Sequence, residues 1–306
     1  MSNQTPSHYR AYPPPRSEYG YQPSLAANIV GLSLFSMSTL LHCWQMIYYR
    51  MWWCVVLPIG GITEMIGYAA RIYSYHSDSN NNAFLAQTVT LIIAPSFFSA
   101  ALYIVFGKII IAIGRKYSIM RPVTYIWVFC AADILSLVIQ AIGGGIASQA
   151  TIKENLSLSN LGTHIMVAGI CWQMFSMAMF VILVILFIIN VLNARLQLPH
   201  KLKVFCAGMA LVTVMIFVRC IYRTIELLGG WEGYIITHEV YFITLEEVPM
   251  LIALLAFNVF HPGQYLKDIE SLESFELPTT AKDVVSDSKI EISVAVKPSL
   301  ANKEIA

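Results

Sequence analysis

The chain has 306 residues, of which 57% are hydrophobic and only 12% are aspartate, glutamate, lysine or arginine. A soluble domain carries about 25% charged residues, so this chain has about half the charge that a water-facing surface needs. Composition therefore predicts one polytopic membrane domain, although length alone would suggest two soluble domains. A net charge of +1 without a basic cluster argues against nucleic acid as a partner.

Seven apolar runs are long enough to cross a bilayer, because a helix rises 1.5 Å per residue through a hydrocarbon layer about 30 Å thick. The runs are Leu25–Trp44, Trp52–Tyr73, Phe84–Gly107, Val123–Gly144, Gly162–Val191, Val204–Leu228 and Ile235–Phe260. The sequence therefore predicts an all-α membrane protein with seven transmembrane helices. The longer runs predict helices that are tilted or emerge from the bilayer.

The two ends differ in composition from the middle. Residues 1–24 are rich in proline and tyrosine, which predicts an extended extracellular arm with no signal peptide. Residues 264–306 are too charged to pack a core, and we expect them to form a disordered cytoplasmic tail. The transmembrane domain is predicted to cover residues 25–263.

Lysine and arginine predict the orientation, because they are enriched in cytoplasmic connections. The first, third and fifth connections and the C-terminal tail hold 13 of the 19 basic residues, whereas the N-terminal arm and the other three connections hold 3. This asymmetry predicts an outside N-terminus and an inside C-terminus. Two glycosylation sequons, at Asn3 and Asn155, both fall on the predicted outer side.

Ionisable residues lie within or beside the apolar runs, where an isolated charge costs about 2.5–3.5 kcal/mol. The bases are Arg71, Arg219 and Arg223, and the acids are Glu64, Asp133, Glu226, Glu239, Glu246 and Glu247. We expect them to face a bundle interior or a wet cavity. Six acids against three bases leave up to three negative charges that need a proton or a cation. The imbalance indicates a cationic or proton-coupled substrate.

Helical spacing groups these residues on shared faces. The faces comprise Glu64, Gly67, Tyr68 and Arg71 in the second run, Asp133, Ser136 and Gln140 in the fourth, and Arg219, Tyr222, Arg223 and Glu226 in the sixth. Pro249 is expected to kink the seventh helix or to free a backbone carbonyl. The alternative interpretation is that the charges are structural ion pairs, such as Arg71 with Asp133 or Arg223 with Glu246.

Motifs for other chemistries are missing from the sequence. His42, His164, His238 and His261 lack the HxxxH and HExxH spacings, so we expect no metal site. There is no GxxxxGK[ST] loop and no GxSxG elbow, so we expect no cofactor and no catalytic residue. The glycines at 60–61 and 143–145 are expected at close helix contacts or helix ends.

Short motifs in chain order carry a family resemblance. They include YQPS at Tyr21–Ser24, EMIGYAAR at Glu64–Arg71, the run Asp133–Gly145, RCIYRTIE at Arg219–Glu226, VPM at Val248–Met250 and HPG at His261–Gly263. With these motifs the chain resembles the fungal lipid-translocating exporter family, which includes aminocholesterol-resistance and sphingoid long-chain-base exporter proteins. The resemblance implies a seven-helix protein of the plasma membrane or an endomembrane that moves amphipathic lipids or confers resistance to toxic ones.

Three classes of function are compatible with these features. The first is a transporter of sphingoid bases, aminosterols or similar lipids, whose ammonium head groups suit buried carboxylates. For it we assign Glu64, Asp133, Gln140, Glu226 and Glu246 to substrate binding and Arg71, Arg219 and Arg223 to charge pairing. The second is a seven-helix receptor or stress sensor that affects lipid asymmetry indirectly. The third, an intramembrane lipid-amide hydrolase, needs a metal cluster that the sequence does not supply.

The predicted orientation can be tested at the sequon of Asn155. We expect Asn155→Gln to raise the electrophoretic mobility of the protein from yeast cells, as endoglycosidase treatment does. Lys116→Asn is the matched control, because it creates an Asn-Tyr-Ser sequon in a predicted cytoplasmic connection and should stay unmodified. Glycosylation of the control sequon would contradict the orientation.

Overall fold

The computed structural model describes residues 23–76, 81–152, 156–229, 234–235 and 237–265 of the chain, and within these ranges it is helical without strands. Its long helices are α1 (Leu25–Tyr49), α2 (Val56–His76), α3 (Asn81–Ile113), α4 (Pro122–Ile152), α5 (Leu156–Asn193), α6 (His200–Leu228) and α7, which begins at Glu239 and ends at Val259. A single turn, α8 (Pro262–Tyr265), follows. Seven helical segments are long and apolar enough to span a membrane, which confirms the predicted integral membrane architecture.

Several predicted features lie outside the described residues. They are the sequons at Asn3 and Asn155, nearly all of the N-terminal arm and the tail from residue 266 onward. The division into arm, bundle and tail, and the orientation of the termini, therefore stay predictions.

Consecutive helices pack against each other, and α7 contacts both α6 and α1, so the last helix closes the bundle against the first. The third helix is the most enclosed, because it contacts α2, α4, α6 and α7. Hydrophobic side chains on the perimeter stay exposed, as a bilayer requires. This arrangement brings the inner faces of α2, α6 and α7, which carry most of the charges, toward one region.

An aromatic cluster fills the bundle between α3, α4 and α5. Tyr103 and Phe106 on α3 and Phe180 on α5 are all buried. The ring centroid of Phe180 lies 4.8 Å from that of Tyr103 and 5.4 Å from that of Phe106. Phe129 on α4 completes the group at 5.3 Å from Phe180. Edge-to-face ring contacts of this kind add about 0.5–1.5 kcal/mol each to the gain from burial.

The predicted close contact at Gly143 is confirmed. A Cβ atom on Gly143 would lie 2.5 Å from the backbone nitrogen of Met166 and 2.7 Å from the carbonyl oxygen of Gly162. Gly143 therefore leaves no room for a side chain, because both obstructing atoms belong to the backbone of α5. Gly145 differs, since its Cβ would meet nothing within 4 Å. Small residues therefore set the α4–α5 distance at Gly143 and Gly162.

Gly143→Ala should lower the stability of the purified protein, because the added methyl group forces α4 and α5 apart at a cost of about 1–3 kcal/mol. Gly145→Ala is the matched control and should leave the melting temperature unchanged or slightly raised. Thermal unfolding in detergent, followed by size-exclusion chromatography, measures both. Equal melting temperatures for the two variants would contradict the assigned contact.

Candidate functional site

The seventh helix is irregular where its acidic residues lie. It is α-helical over Glu239–Phe242, π-helical over Ile243–Glu247 and α-helical again over Val248–Val259. Pro249 follows almost at once and has no N–H to offer to the preceding turn, so the disturbance predicted there takes the form of a π turn. Within this wider turn the consecutive side chains of Glu246 and Glu247 are both buried.

Glu246 bridges two arginines of α6. Its Oε1 lies 3.3 Å from Nη2 of Arg219, and its Oε2 lies 3.3 Å from Nη1 of Arg223. All three side chains are buried, so the pairs are held in a medium of low dielectric constant. The predicted Arg223–Glu246 pair is confirmed, and Arg219 shares the same carboxylate.

The sixth helix supplies further partners from its own face. Arg223 Nη1 donates to Oε2 of Glu226 at 2.5 Å, and the hydroxyl of Tyr222 donates to Oε1 of the same carboxylate at 2.9 Å. Arg219 Nη2 donates to the carbonyl oxygen of Leu91 on α3 at 2.6 Å. The spacing that predicted a shared polar face in α6 is thus confirmed, and both oxygens of Glu226 are occupied.

Arg71 pairs with Glu239 at the end of the bundle where α1 begins. The distance from Arg71 Nη2 to Glu239 Oε1 is 3.1 Å, and the backbone N–H of Ser24 donates to both oxygens of that carboxylate at 2.8 and 3.0 Å. The guanidinium also lies 4.1 Å from the ring centroid of Phe242, a cation–π contact. These contacts connect α2 and α7 to the start of α1.

The suggested pairing of Arg71 with Asp133 is wrong. Asp133 lies on α4 and faces α3, where its Oδ2 accepts a hydrogen bond from the hydroxyl of Tyr103 at 3.1 Å. Helical spacing places a residue on a face but does not say which helix that face meets, and α4 packs mainly against α3 and α5. Arg71, on α2, instead meets α7.

Gln140 belongs to a separate polar seam between α4 and α5. Its Nε2 donates to Oε1 of Gln173 at 3.2 Å, and Ser136 Oγ donates to the carbonyl oxygen of Gly169 at 2.7 Å. The structure therefore brings Glu226 and Glu246 together with the arginines of α6, and it places Asp133 and Gln140 along α4.

Among the described residues three buried acids form no ion pair, as the charge imbalance predicted. They are Glu64, Asp133 and Glu247. Glu64 is 2% exposed, and within the described part of the chain it makes no hydrogen bond or ion pair, although it interacts electrostatically with Arg219 and Glu246.

Glu247 was not among the predicted binding residues. Its Oε2 is buried without a hydrogen-bond partner among the described residues, and its Oε1 occupies the space beside Gly31 of α1, where a Cβ would lie 2.3 Å away. In a regular α-helix adjacent residues point about 100° apart, so the prediction that Glu246 faces inward left Glu247 off that face. The π turn buries both.

These carboxylates differ in what they are free to bind. Glu226 and Glu246 are held by arginines, whereas Glu64 and Glu247 are buried acceptors that a cation or a proton can neutralise. Among the described residues no group of three or more His, Cys, Asp or Glu side chains is arranged to hold a metal ion.

Substitutions should separate the paired acids from the unpaired ones. Glu246→Gln removes the charge that two buried arginines share, and we expect it to destabilise the protein by about 3–5 kcal/mol, the cost typical of breaking a buried ion pair. Glu64→Gln is the matched control, because it removes an unpaired buried charge and should leave stability equal or higher. The melting temperature in detergent and the amount of protein in membranes measure both. A more stable Glu246→Gln variant would contradict the structural role of the bridge.

Comparison with known proteins gives a consistent set of relatives. Residues 57–269 match the RTA1 like protein family. The sphingoid long-chain base transporter RSB1 of Saccharomyces cerevisiae is 32% identical over 280 residues, which cover 80% of this chain and 73% of that protein. Protoporphyrin uptake protein 1 and protein RTA1 of the same yeast are 29% and 27% identical and cover about two thirds of this chain. No solved structure matches significantly.

Proposed function

Because the chain belongs to the RTA1 like protein family, we propose that it transports amphipathic lipids with an ammonium head group across the bilayer. The family membership confirms the resemblance seen in the sequence motifs. The observation that carries the proposal is the surplus of buried carboxylates, because each needs a proton or a positive charge and forms no ion pair among the described residues. The name of the relative RSB1 points to sphingoid long-chain bases, which are ammonium ions at neutral pH, as the substrate class.

We place the head-group site between α2 and α7, at Glu64 and Glu247. Both carboxylates are buried, and Glu247 lies against Gly31, so the site is bounded by α1 as well. A primary ammonium donates three hydrogen bonds and can bridge two carboxylates through charge-assisted bonds. Of the residues predicted from sequence, Asp133 and Gln140 stay proposed substrate contacts along α4.

The paired acids have a different role in this proposal. Glu226 and Glu246 form ion pairs with Arg219 and Arg223. The two arginines are therefore neutralised within the protein and do not bind an anionic ligand. The same bridges hold α6 against α7 and so keep the two free carboxylates inside the bundle. Arg71 does this at the end of the bundle through Glu239.

In this proposal the site also couples lipid movement to a proton gradient. An unpaired carboxylate in a membrane interior is neutralised by a proton when no other cation is present. Arrival of the ammonium head group displaces that proton, and its departure allows reprotonation. Lipid movement in one direction is then coupled to proton movement in the other.

A transporter accounts for these features better than an enzyme, and the relatives bear the names of transport and uptake proteins. We propose a location in the plasma membrane, glycosylation at Asn3 and Asn155, and resistance to toxic amphipathic amines, aminosterols included, as the consequence for the cell. The alternative, a receptor or stress sensor that changes lipid asymmetry indirectly, differs in one respect: the purified protein would move no lipid.

Purified protein in liposomes tests the proposal through transbilayer movement of a fluorescent sphingoid base. Glu64→Gln and Glu247→Gln should each slow protein-dependent movement at least about tenfold, since a charge-assisted hydrogen bond contributes about 1.5–3 kcal/mol. The matched control is Thr213→Val, a buried change on α6 that removes only a hydrogen bond within its own helix. Wild-type rates in both glutamine variants would contradict the site.

The same liposomes separate the alternatives. A pH gradient should accelerate movement by the wild-type protein and have little effect on either glutamine variant. If the wild-type protein moves no lipid under any gradient, the transporter proposal fails and the receptor alternative gains support.

A further inference from the structure

The buried face of α1 is polar, whereas its exposed face is apolar. Its buried residues are Asn28, Gly31, Phe35, Ser38, Thr39, His42 and Gln45, of which only Phe35 has a large hydrophobic side chain. The exposed residues include Met37, Leu40, Trp44 and Ile47. This polar face lies against α2 and α7, and it runs from Gly31, beside Glu247, to the opposite end of the helix.

At that opposite end, side-chain hydrogen bonds join α1 to α7. His42 Nε2 lies 3.1 Å from the carbonyl oxygen of Leu254, and Gln45 Nε2 donates to the carbonyl oxygen of Asn258 at 2.9 Å. The side-chain amide of Asn258 donates to Ser38 in return. The contacts are made between the first and last helices of the bundle, where its ring of helices closes.

Four polar atoms in this cluster have no hydrogen-bond partner among the described residues. They are Nδ1 of His42, Oε1 of Gln45, Oδ1 of Asn258 and Nε2 of His261. The four side chains are at most 5% exposed, so bulk water does not solvate these atoms. A buried polar group left unpaired costs about 1–3 kcal/mol, so four together indicate a bound partner, either ordered water or a ligand.

The hydrogen bonds that do form fix which of these atoms donate. His42 Nε2 faces a carbonyl and must carry the proton, so its Nδ1 is an acceptor. His261 Nδ1 accepts from the backbone N–H of Gly263 at 3.1 Å, so its Nε2 carries the proton and is a donor. With the two amide oxygens, the cluster offers three acceptors and one donor.

We propose that this cluster, formed by His42, Gln45, Asn258 and His261, is a second binding site for a primary ammonium head group. Three acceptors match the three N–H bonds of the ammonium, and the donor matches a hydroxyl oxygen beside it. The inference rests on the proposed lipid transport and extends it. Along α7 the cluster lies about 16 Å from Glu247, so about three helical turns separate the two sites.

The surroundings of the cluster suit a lipid whose tail stays in the bilayer. Leu41 and Trp44 on α1 and Val259 on α7 are exposed on the perimeter, 40%, 58% and 62% respectively. A head group that enters between α1 and α7 leaves its chain against these side chains. The polar face of α1 then provides partners for the head group between the two sites, so the tail need not leave the hydrocarbon layer.

Photolabelling of the full-length protein in nanodiscs tests the proposal. The probe is a sphingoid base with a diazirine next to its head group, and mass spectrometry locates the labelled peptides. We expect labels at two places, one near Glu64 and Glu247 and one within residues 38–45 or 254–263. His42→Gln, which can keep a donor toward Leu254 but moves the acceptor, and Gln45→Met should each reduce the second label at least fivefold and spare the first.

Two controls make the result specific. Thr213→Val should label as the wild-type protein does, because its buried change lies on α6. The N-acetylated probe, which has no ammonium group, should lose the second label. If it labels residues 38–45 or 254–263 as strongly as the amine does, the cluster does not recognise ammonium, which overturns the proposal.

The remaining outcomes separate this inference from the proposed function. A label confined to the region of Glu64 and Glu247 overturns the second site and leaves lipid transport supported. A second label that persists in both His42→Gln and Gln45→Met also overturns it. If excess unlabelled base displaces no label anywhere, both the second site and the proposed head-group site fail.

Discussion

The bridge from Glu246 to Arg219 and Arg223 is the interaction on which the remaining structure depends. Guanidinium groups stay charged in proteins, so each buried arginine must find an acceptor within the bundle. The π turn of α7 supplies one carboxylate to both, and Glu226 supplies another to Arg223. These ion pairs therefore add to the van der Waals packing of α6 against α7.

The buried acids that form no ion pair with these arginines are in a different situation. In a soluble protein, Glu64 and Glu247 would turn toward water, but a helix in the bilayer interior has no water to turn to. Both are buried, one without any hydrogen bond and the other with an oxygen that lacks a partner among the described residues. Such groups need a proton or a cation, and this is why we propose that they bind the head group of an amphipathic amine.

Polar contacts join α1 and α7 at two places along their length. Gly31 lets Glu247 approach α1, and about three turns further along α1 His42 and Gln45 reach α7. Between these points α1 turns its polar side inward and its apolar side to lipid. The contact between α1 and α7 is thus polar, whereas the α4–α5 contact is close-packed backbone at Gly143 and Gly162. We therefore expect a head group to move laterally between α1 and α7 and not between α4 and α5.

Hydropathy and residue spacing by themselves determined the seven spans, the inward faces of α2 and α6, and the surplus of three acids, because each follows from local periodicity or from counting charges. The Arg223–Glu246 pair was also predicted. The partner of Arg71, by contrast, depended on which helices are neighbours: α2 meets α7 there, so Glu239 takes the place that the sequence suggested for Asp133. Glu247 joined the proposed head-group site only because of the π turn, which buries two consecutive side chains that a regular helix would separate. Helix neighbours and local changes in helical pitch arise from the packing of the whole bundle, so only the tertiary structure decided them.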